Sequence, residues 1–296
     1  MTPVLRPATL ADSRAVFEVF IASLVDLGQR LGVETITGGV ENLDALWAKR
    51  APIMTHAAET ADRWWVAEEA GRLVGYARSI LRDGIRQLTE FFVRPGAQSA
   101  GVGRELLERA FPAEGSRGRI LLATPDTRAL ARYLKAGLSA RFPVYHFGRP
   151  RRPVLYTGEL EPVPVAGDQY GLALLASIDR EVLGFRRDTD HRWLLSQRRG
   201  FVYLRNGTPV GYGYVGLYQG PFASIDPAAL GPMLAHAESV AEGDEFGVEA
   251  PLISRSATQY LLEHGFRMDP FVNYYLSDVE LGKFDRYLVT TPSLFI

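Results

Sequence analysis

The segment Leu88-Thr89-Glu90-Phe91-Phe92-Val93-Arg94-Pro95-Gly96-Ala97-Gln98-Ser99-Ala100-Gly101-Val102-Gly103-Arg104 sets the architecture around it. An apolar strand, Gln87 to Val93, runs into Pro95, which has no backbone donor and so ends the ladder. A turn of small residues follows, and Gly101 to Phe111 reads as a helix. Small residues let a ligand come close to the main chain. The helix start adds unpaired N–H groups and the positive end of the dipole. Together they make a seat for a diphosphate. Strand, glycine turn and helix also describe Rossmann and P-loop sites, but no G-x-G-x-x-G opens this helix and no G-x-x-x-x-G-K-S/T occurs. A purely structural helix start needs fewer glycines.

Upstream, Asp12 is placed to cap a helix through Ala15, Val16, Val19, Phe20 and Leu24, which recur at helical spacing. A second helix is expected between Asn42 and Thr60. Trp64 to Glu68 and Leu73 to Leu81 read as a hairpin across Glu69-Ala70-Gly71-Arg72, and Asp83-Gly84 turns the chain again into Gln87 to Val93. Downstream come a strand at Ile120 to Ala123, a helix at Asp126 to Ala136 and a strand at Tyr145 to Phe147. Strands and helices alternate, so the fold class is α/β with a mixed, largely antiparallel sheet flanked by helices.

Prolines and glycines crowd the chain from Phe147 to Gly167. They mark a linker, which gives domains at 1–155 and 156–296. The second half repeats the first. Val66, Gly71, Val74, Gly75 and Tyr76 recur as Val202, Gly207, Val210, Gly211 and Tyr212, each 136 positions on. Asp126, Ala129, Tyr133, Gly137 and Leu138 line up with Ser254, Ala257, Leu261, Gly265 and Phe266, each 128 positions on. Two blocks in one order at nearly one offset point to duplicated units; two unrelated α/β domains sharing a hairpin by chance is the alternative.

Gln98-Ser99-Ala100-Gly101-Val102-Gly103 resembles the pyrophosphate signature of the GNAT acetyltransferases, Q/R-x-x-G-x-G/A, after a strand ending in Val-x-Pro. Asp126 to Leu138 is similar to that family's N-x-x-A-x-x-x-Y-x-x-x-G-F helix, with Asp126 for Asn and Leu138 for Phe. The resemblance implies acetyl-CoA as donor. Backbone of Phe91, Phe92 and Val93 would hold its pantetheine and acetyl groups. N–H groups of Gln98, Ser99, Ala100, Gly101, Val102, Gly103 and Arg104 would hold the pyrophosphate. The helix start at Asp126 would also face the cofactor, with an acid in place of the usual amide. Tyr133 takes the position of the tyrosine that protonates the leaving thiolate. Glu90 lies where members often keep a base, though a strand bulge shifts this register. The second half resembles the C-terminal domain of tandem GNAT proteins. Its equivalent of the loop, Ser224 to Pro232, has no such signature, and Asp226 there repels phosphate, so a degenerate domain is expected.

The activity implied is N-acetyl transfer to a primary amine, on a small molecule or peptide, by direct attack. The alternative is an acetyl-CoA-binding module without catalysis. A phenol with a pKa of about 10 is a fitting acid toward a thiolate of similar basicity. For the other candidates the structural reading leads. Glu90 reads first as an exposed strand carboxylate. Tyr76, Arg78 and His146 read as framework before acceptor cleft, and the charged run Arg186 to Arg192 as a solvated loop.

Composition bounds the rest. The 296 residues carry 33 basic and 34 acidic groups, so net charge suggests neither nucleic-acid nor polybasic membrane binding. There is no cysteine, which removes disulfides, thiolate metal sites and cysteine nucleophiles. The histidines lack metal-ligand spacing. No signal-like segment opens the chain and no run approaches the ~18 apolar residues of a membrane span, so a cytoplasmic protein is expected.

Overall fold

A computed structural model describes residues 3–33, 42–97, 101–293 and 296. The chain divides into two compact units, Met1–Ser139 with Leu276–Val279, and Ala140–Tyr275 with Glu280–Ile296. Packing thus assigns the strand that precedes the Pro/Gly run to the second unit, although the run itself lies near residue 155. A linker read from composition marks where the chain loosens, not where its contacts change.

The first unit contains β1 (Val4–Pro7), α1 (Ser13–Leu31), α2 (Leu43–Glu59), β2 (Ala61–Glu69), β3 (Arg72–Arg82), β4 (Ile85–Val93), α3 (Val102–Ala110), β5 (Gly118–Ala123) and α4 (Thr127–Lys135). Its strands run in the order β1-β2-β3-β4-β5. Neighbours are antiparallel except β4 and β5, which are parallel. Parallel neighbours need a crossover, and α3 supplies it. Asn42 caps α2 by accepting from the N–H of Ala45 at 2.9 Å. Asp12 opens α1 differently from a side-chain cap: its carboxylate accepts from Arg6 at 2.8 and 3.0 Å and from the Thr9 N–H at 2.8 Å. Trp64 is buried under the guanidinium of Arg78, and Trp65 carries Arg109 over its ring.

The second unit holds β6 (Ser139–Pro150), β7 (Glu161–Pro164), α5 (Gln169–Val182), α6 (Asp188–Gln197), β8 (Arg199–Arg205), β9 (Thr208–Val215), β10 (Phe222–Ser224), α7 (Leu230–Val240), β11 (Glu245–Pro251), α8 (Arg255–Glu263), β12 (Arg267–Ser277) and β13 (Tyr287–Leu288). One sheet runs β13-β10-β9-β8-β7, and β11 pairs with β6 from Glu245↔Pro150 to Pro251↔Val144. The end of β12 belongs to the first unit. There Asp278 accepts from the Arg119 N–H and from Arg119 Nε, both at 2.7 Å.

The repeat seen in the sequence has a structural counterpart in each unit. In both hairpins the two turn residues have positive φ, 49° and 75° at Ala70-Gly71 and 52° and 76° at Asn206-Gly207. That geometry suits the twist of a two-residue hairpin. Register shifts occur at the same point, between Ala67 and Glu68 and between Tyr203 and Leu204. Tyr76 and Tyr212 are both fully buried on the returning strand. Gly137 and Gly265 end the α4 and α8 segments with φ of 90° and 79°.

The charged run Arg186 to Arg192 corrects the sequence reading. Arg187, Asp190 and His191 are buried rather than solvated. Asp179 accepts from Arg187 at 3.0 and 3.1 Å, from the hydroxyl of Tyr212, and pairs with His191 at 2.9 Å. A buried carboxylate is tolerated only when its lone pairs are met in this way. Local sequence density of charge does not reveal partners brought in from β9.

Candidate functional site

β4 carries the site because two of its neighbours part company. It pairs with β5 only from Ile85↔Gly118 to Leu88↔Leu121. Against β3 it continues to Gly75↔Val93. Between the pairs Arg78↔Glu90 and Ser79↔Leu88 the register shifts, leaving Thr89 as an extra residue. Such a bulge bends and twists the strand, and here it coincides with the point where β4 leaves β5. A cavity of about 100 Å³ occupies the opening. Phe91, Phe92 and Val93 form one wall, Thr124, Asp126, Arg128, Arg132 and Tyr133 another, and Ser23, Arg30 and Gly103 close it.

Consecutive strand residues face opposite sides of a sheet. Phe91 meets Tyr133 edge-on at 6.1 Å, and its ring lies over Gly103. Phe92 meets Phe20 of α1 at 5.1 Å. So α3 and α4 cover one face of β4 and α1 covers the other. The cavity is open to groups from both.

Gly101 is the N-cap of α3, with φ of 78°, a conformation that strains any side chain. At Gly103 a Cβ would stand 3.3 Å from Phe91 Cζ and 3.5 Å from Arg132 Nε. Hydrogen there lets the cavity reach the backbone of the helix start, with a guanidinium directly over it. Val102 is buried beneath, and Arg104 points to solvent, 3.7 Å from Glu108. Gln98, Ser99 and Ala100 lie outside the described residues.

Asp126 caps α4, accepting from the N–H groups of Arg128 at 2.9 Å and Ala129 at 3.2 Å. It also accepts from Arg30 at 2.7 Å and Arg128 at 2.9 Å. Burial raises an acid, but these donors outweigh it and hold the Asp126 carboxyl well below the usual range. Tyr133 is 5% exposed. Burial, and then the negative charge of Asp126, raise its phenol, so it stays protonated through the neutral range.

Glu90 departs from the reading as an exposed strand carboxylate: its side chain is completely buried. One oxygen accepts from the Tyr76 hydroxyl at 3.0 Å and the other is ion-paired with Arg78, which also donates to the Met54 carbonyl at 3.0 Å. Glu90 is not among the residues that line the cavity, whereas Phe91 beside it is. Tyr76 is raised strongly by burial and then by Glu90. His146 belongs to the second unit, and burial lowers it. Arg94 donates to the Leu73 carbonyl at 3.0 Å, which ties it to the hairpin. The sequence reading missed Arg30 and Arg132. Arg132 was signalled by its i,i+4 spacing from Arg128; Arg30 reaches Asp126 across 96 residues, which no local pattern reveals.

In the second unit the equivalent positions are filled. Gly231 matches Gly103 as the second residue of its helix, but a Cβ there would meet the Tyr260 ring at 3.1 Å. Asp226 pairs with Arg205 and accepts from the Ala228 N–H at 3.0 Å. β13 pairs with β10, while the next residue, Val289, bridges to Glu249 of β11. Buried Tyr287, Leu288 and Val289 therefore occupy the space between β10 and β11. Among the described residues no helix is long and apolar enough to cross a membrane, and no cluster of three potential metal ligands occurs.

Residues 60–137 match the family model described as an acetyltransferase (GNAT) domain. Solved structures share the fold over most of the chain. A putative acetyltransferase from Pyrococcus horikoshii is 14% identical with a TM-score of 0.74, over 97% of this chain and 93% of that one. A GCN5-related N-acetyltransferase from Sphaerobacter thermophilus is 15% identical with a TM-score of 0.56, over 94% and 95%. A tandem GNAT protein from the clavulanic acid biosynthesis pathway is 15% identical with a TM-score of 0.53, over 93% and 98%. A search of curated proteins finds no match.

Proposed function

We propose, from the match of residues 60–137 to the GNAT acetyltransferase domain model, that the chain is an N-acetyltransferase that takes acetyl-CoA at the opening beside β4 and passes the acetyl group to a primary amine. The observation that carries this reading is the cavity where β4 leaves β5, walled by Phe91, Phe92 and Val93 and by Tyr133, with Gly103 exposing a helix start to it. A donor diphosphate would rest on the amides of Gly101, Val102, Gly103 and Arg104 under the Arg132 guanidinium. Its pantetheine arm would follow the edge of β4. The amine nitrogen attacks the thioester carbonyl and the carbon–sulfur bond breaks. Tyr133 gives its proton to the departing thiolate, and the amine loses a proton to water. An N–H of Phe92 or Val93 polarises the carbonyl.

Glu90 serves this reading as a support rather than a base. Its buried pair with Arg78 fixes the strand at the bulge, next to the residues that would carry the thioester. The second domain, residues 156–296 in the sequence division, takes no donor, because Tyr260 covers its helix start and the segment after β12 fills its opening.

The test is twofold. Acetyl-CoA should raise the melting temperature, and thiol release over a panel of amines should fall about 10²-fold in Tyr133→Phe while donor affinity holds. Binding without turnover for any amine would leave the non-catalytic acetyl-CoA module instead.

A further inference from the structure

α1 covers one face of β4 and α4 the other, yet an ion pair joins them across the cavity beside that strand. Arg30, near the end of α1, meets Asp126, at the start of α4, at 2.7 Å, and both residues line the cavity. Ser23 lines it too and stands seven residues before Arg30, so one stripe of α1 faces the opening. Each partner in the link also holds a second partner. Asp26, one turn back on α1, accepts from Arg30 at 2.9 Å. Asp126 accepts from the Arg128 guanidinium and from the N–H groups of Arg128 and Ala129 at 2.9 to 3.2 Å. Breaking the link therefore strands neither charge. The Arg78–Glu90 pair is the opposite case, with both side chains completely buried. Side-chain exposure is 39% at Arg30 and 15% at Asp126, and an ion pair this near water is weak. Nor does the cap explain the acid, because Asn caps a helix as well as Asp does. The negative charge at 126 has its counterpart in Arg30.

We infer that the Arg30–Asp126 pair is a latch across the donor cavity: it opens for the donor to enter, shuts over it, and opens again for the spent coenzyme to leave, so that it governs how fast they exchange. The inference rests on the donor reading above. A link that spans a cavity and opens without orphaning a charge suits a gate, which must pass between two states of similar free energy. Arg30 and Asp126 act here by holding α1 to α4, and both are positioning residues.

Stopped-flow mixing of the full chain with acetyl-CoA, and separately with coenzyme A, reads both rates. These ligands are anions, so removing a cation from their path in Arg30→Gln should slow association on steering alone. The latch predicts the opposite sign: association about threefold faster, dissociation rising in step, and Kd held within about twofold. Asp126→Asn keeps the cap and should quicken both rates by a similar factor. The double variant Arg30→Gln/Asp126→Asn should be no faster than either single one, because one link is lost only once. Arg30→Lys keeps the charge and should exchange at a rate between the unmodified protein and Arg30→Gln. Slower or unchanged association in Arg30→Gln, a rise in dissociation alone, or additive effects in the double variant would overturn the latch while leaving the donor reading intact. If acetyl-CoA does not bind the unmodified protein, the donor reading falls and takes this one with it. Arg30 is exposed on a helix and glutamine is a good helix former, so its substitution should fold.

Discussion

Tyr133 and Tyr76 are both buried phenols raised by burial, yet of the two it is Tyr133 that lines the cavity beside β4. Tyr76 donates to Glu90 and is part of the framework. Glu90→Gln should therefore act on stability: it leaves Arg78 charged, buried and unpaired, a loss of about 3–5 kcal/mol by denaturant titration. If Glu90 were instead the catalytic base, turnover would collapse with little change in unfolding. His236 offers a pH signature in the second unit. Burial, and then Arg199, lower it to about 4, while its ring Nδ1 sits 3.0 Å from the Tyr203 hydroxyl. The unfolded imidazole takes its proton near 6.5, the folded one only near 4, so more protons bind the unfolded chain between those values. Stability from this group is present above about pH 6.5 and is lost as pH falls toward 4. Denaturant midpoints across that window should lose part of their slope in His236→Phe.

At the scale of elements, the site depends on a bulge, a splay and a helix start. Gly103→Leu should leave α3 helical, since leucine is a good helix former, yet it must push aside Phe91 and Arg132. Donor affinity should fall tenfold or more by calorimetry, with only a small shift in melting temperature. Retained affinity would remove the diphosphate seat from the mechanism. Most of this element was legible beforehand. Pro95, the glycines at 101 and 103, and the helical spacing from Asp126 to Leu138 give strand, turn and helices within a residue or two of where they form. Partners across the fold were not legible. Whether Glu90 faces water or Arg78 depends on which strand residue the bulge displaces, and a one-residue slip reverses every side chain. The burial of Arg187 and His191 was hidden for the same reason, because their partners Asp179 and Tyr212 come from other elements.

For the whole molecule, one donor site per chain is expected. Calorimetric stoichiometry with acetyl-CoA should be close to one; a value near two would show that Tyr260 and the β13 segment do not close the second opening. A fragment ending at residue 155 follows the linker chemistry but omits Leu276–Val279. It leaves Arg119 without Asp278 and Gly118 without Val279 against it. Its unfolding should begin at lower denaturant than that of the full chain.

That borrowed strand end also sets an order of events during synthesis. Arg119 leaves the ribosome long before Asp278 is translated, so the first unit waits, incomplete, while residues 140–275 are made. The nascent chain carries a guanidinium without its carboxylate partner and an unpaired sheet margin through that interval. Chaperone dependence should track the length of the delay more closely than the final stability of the protein.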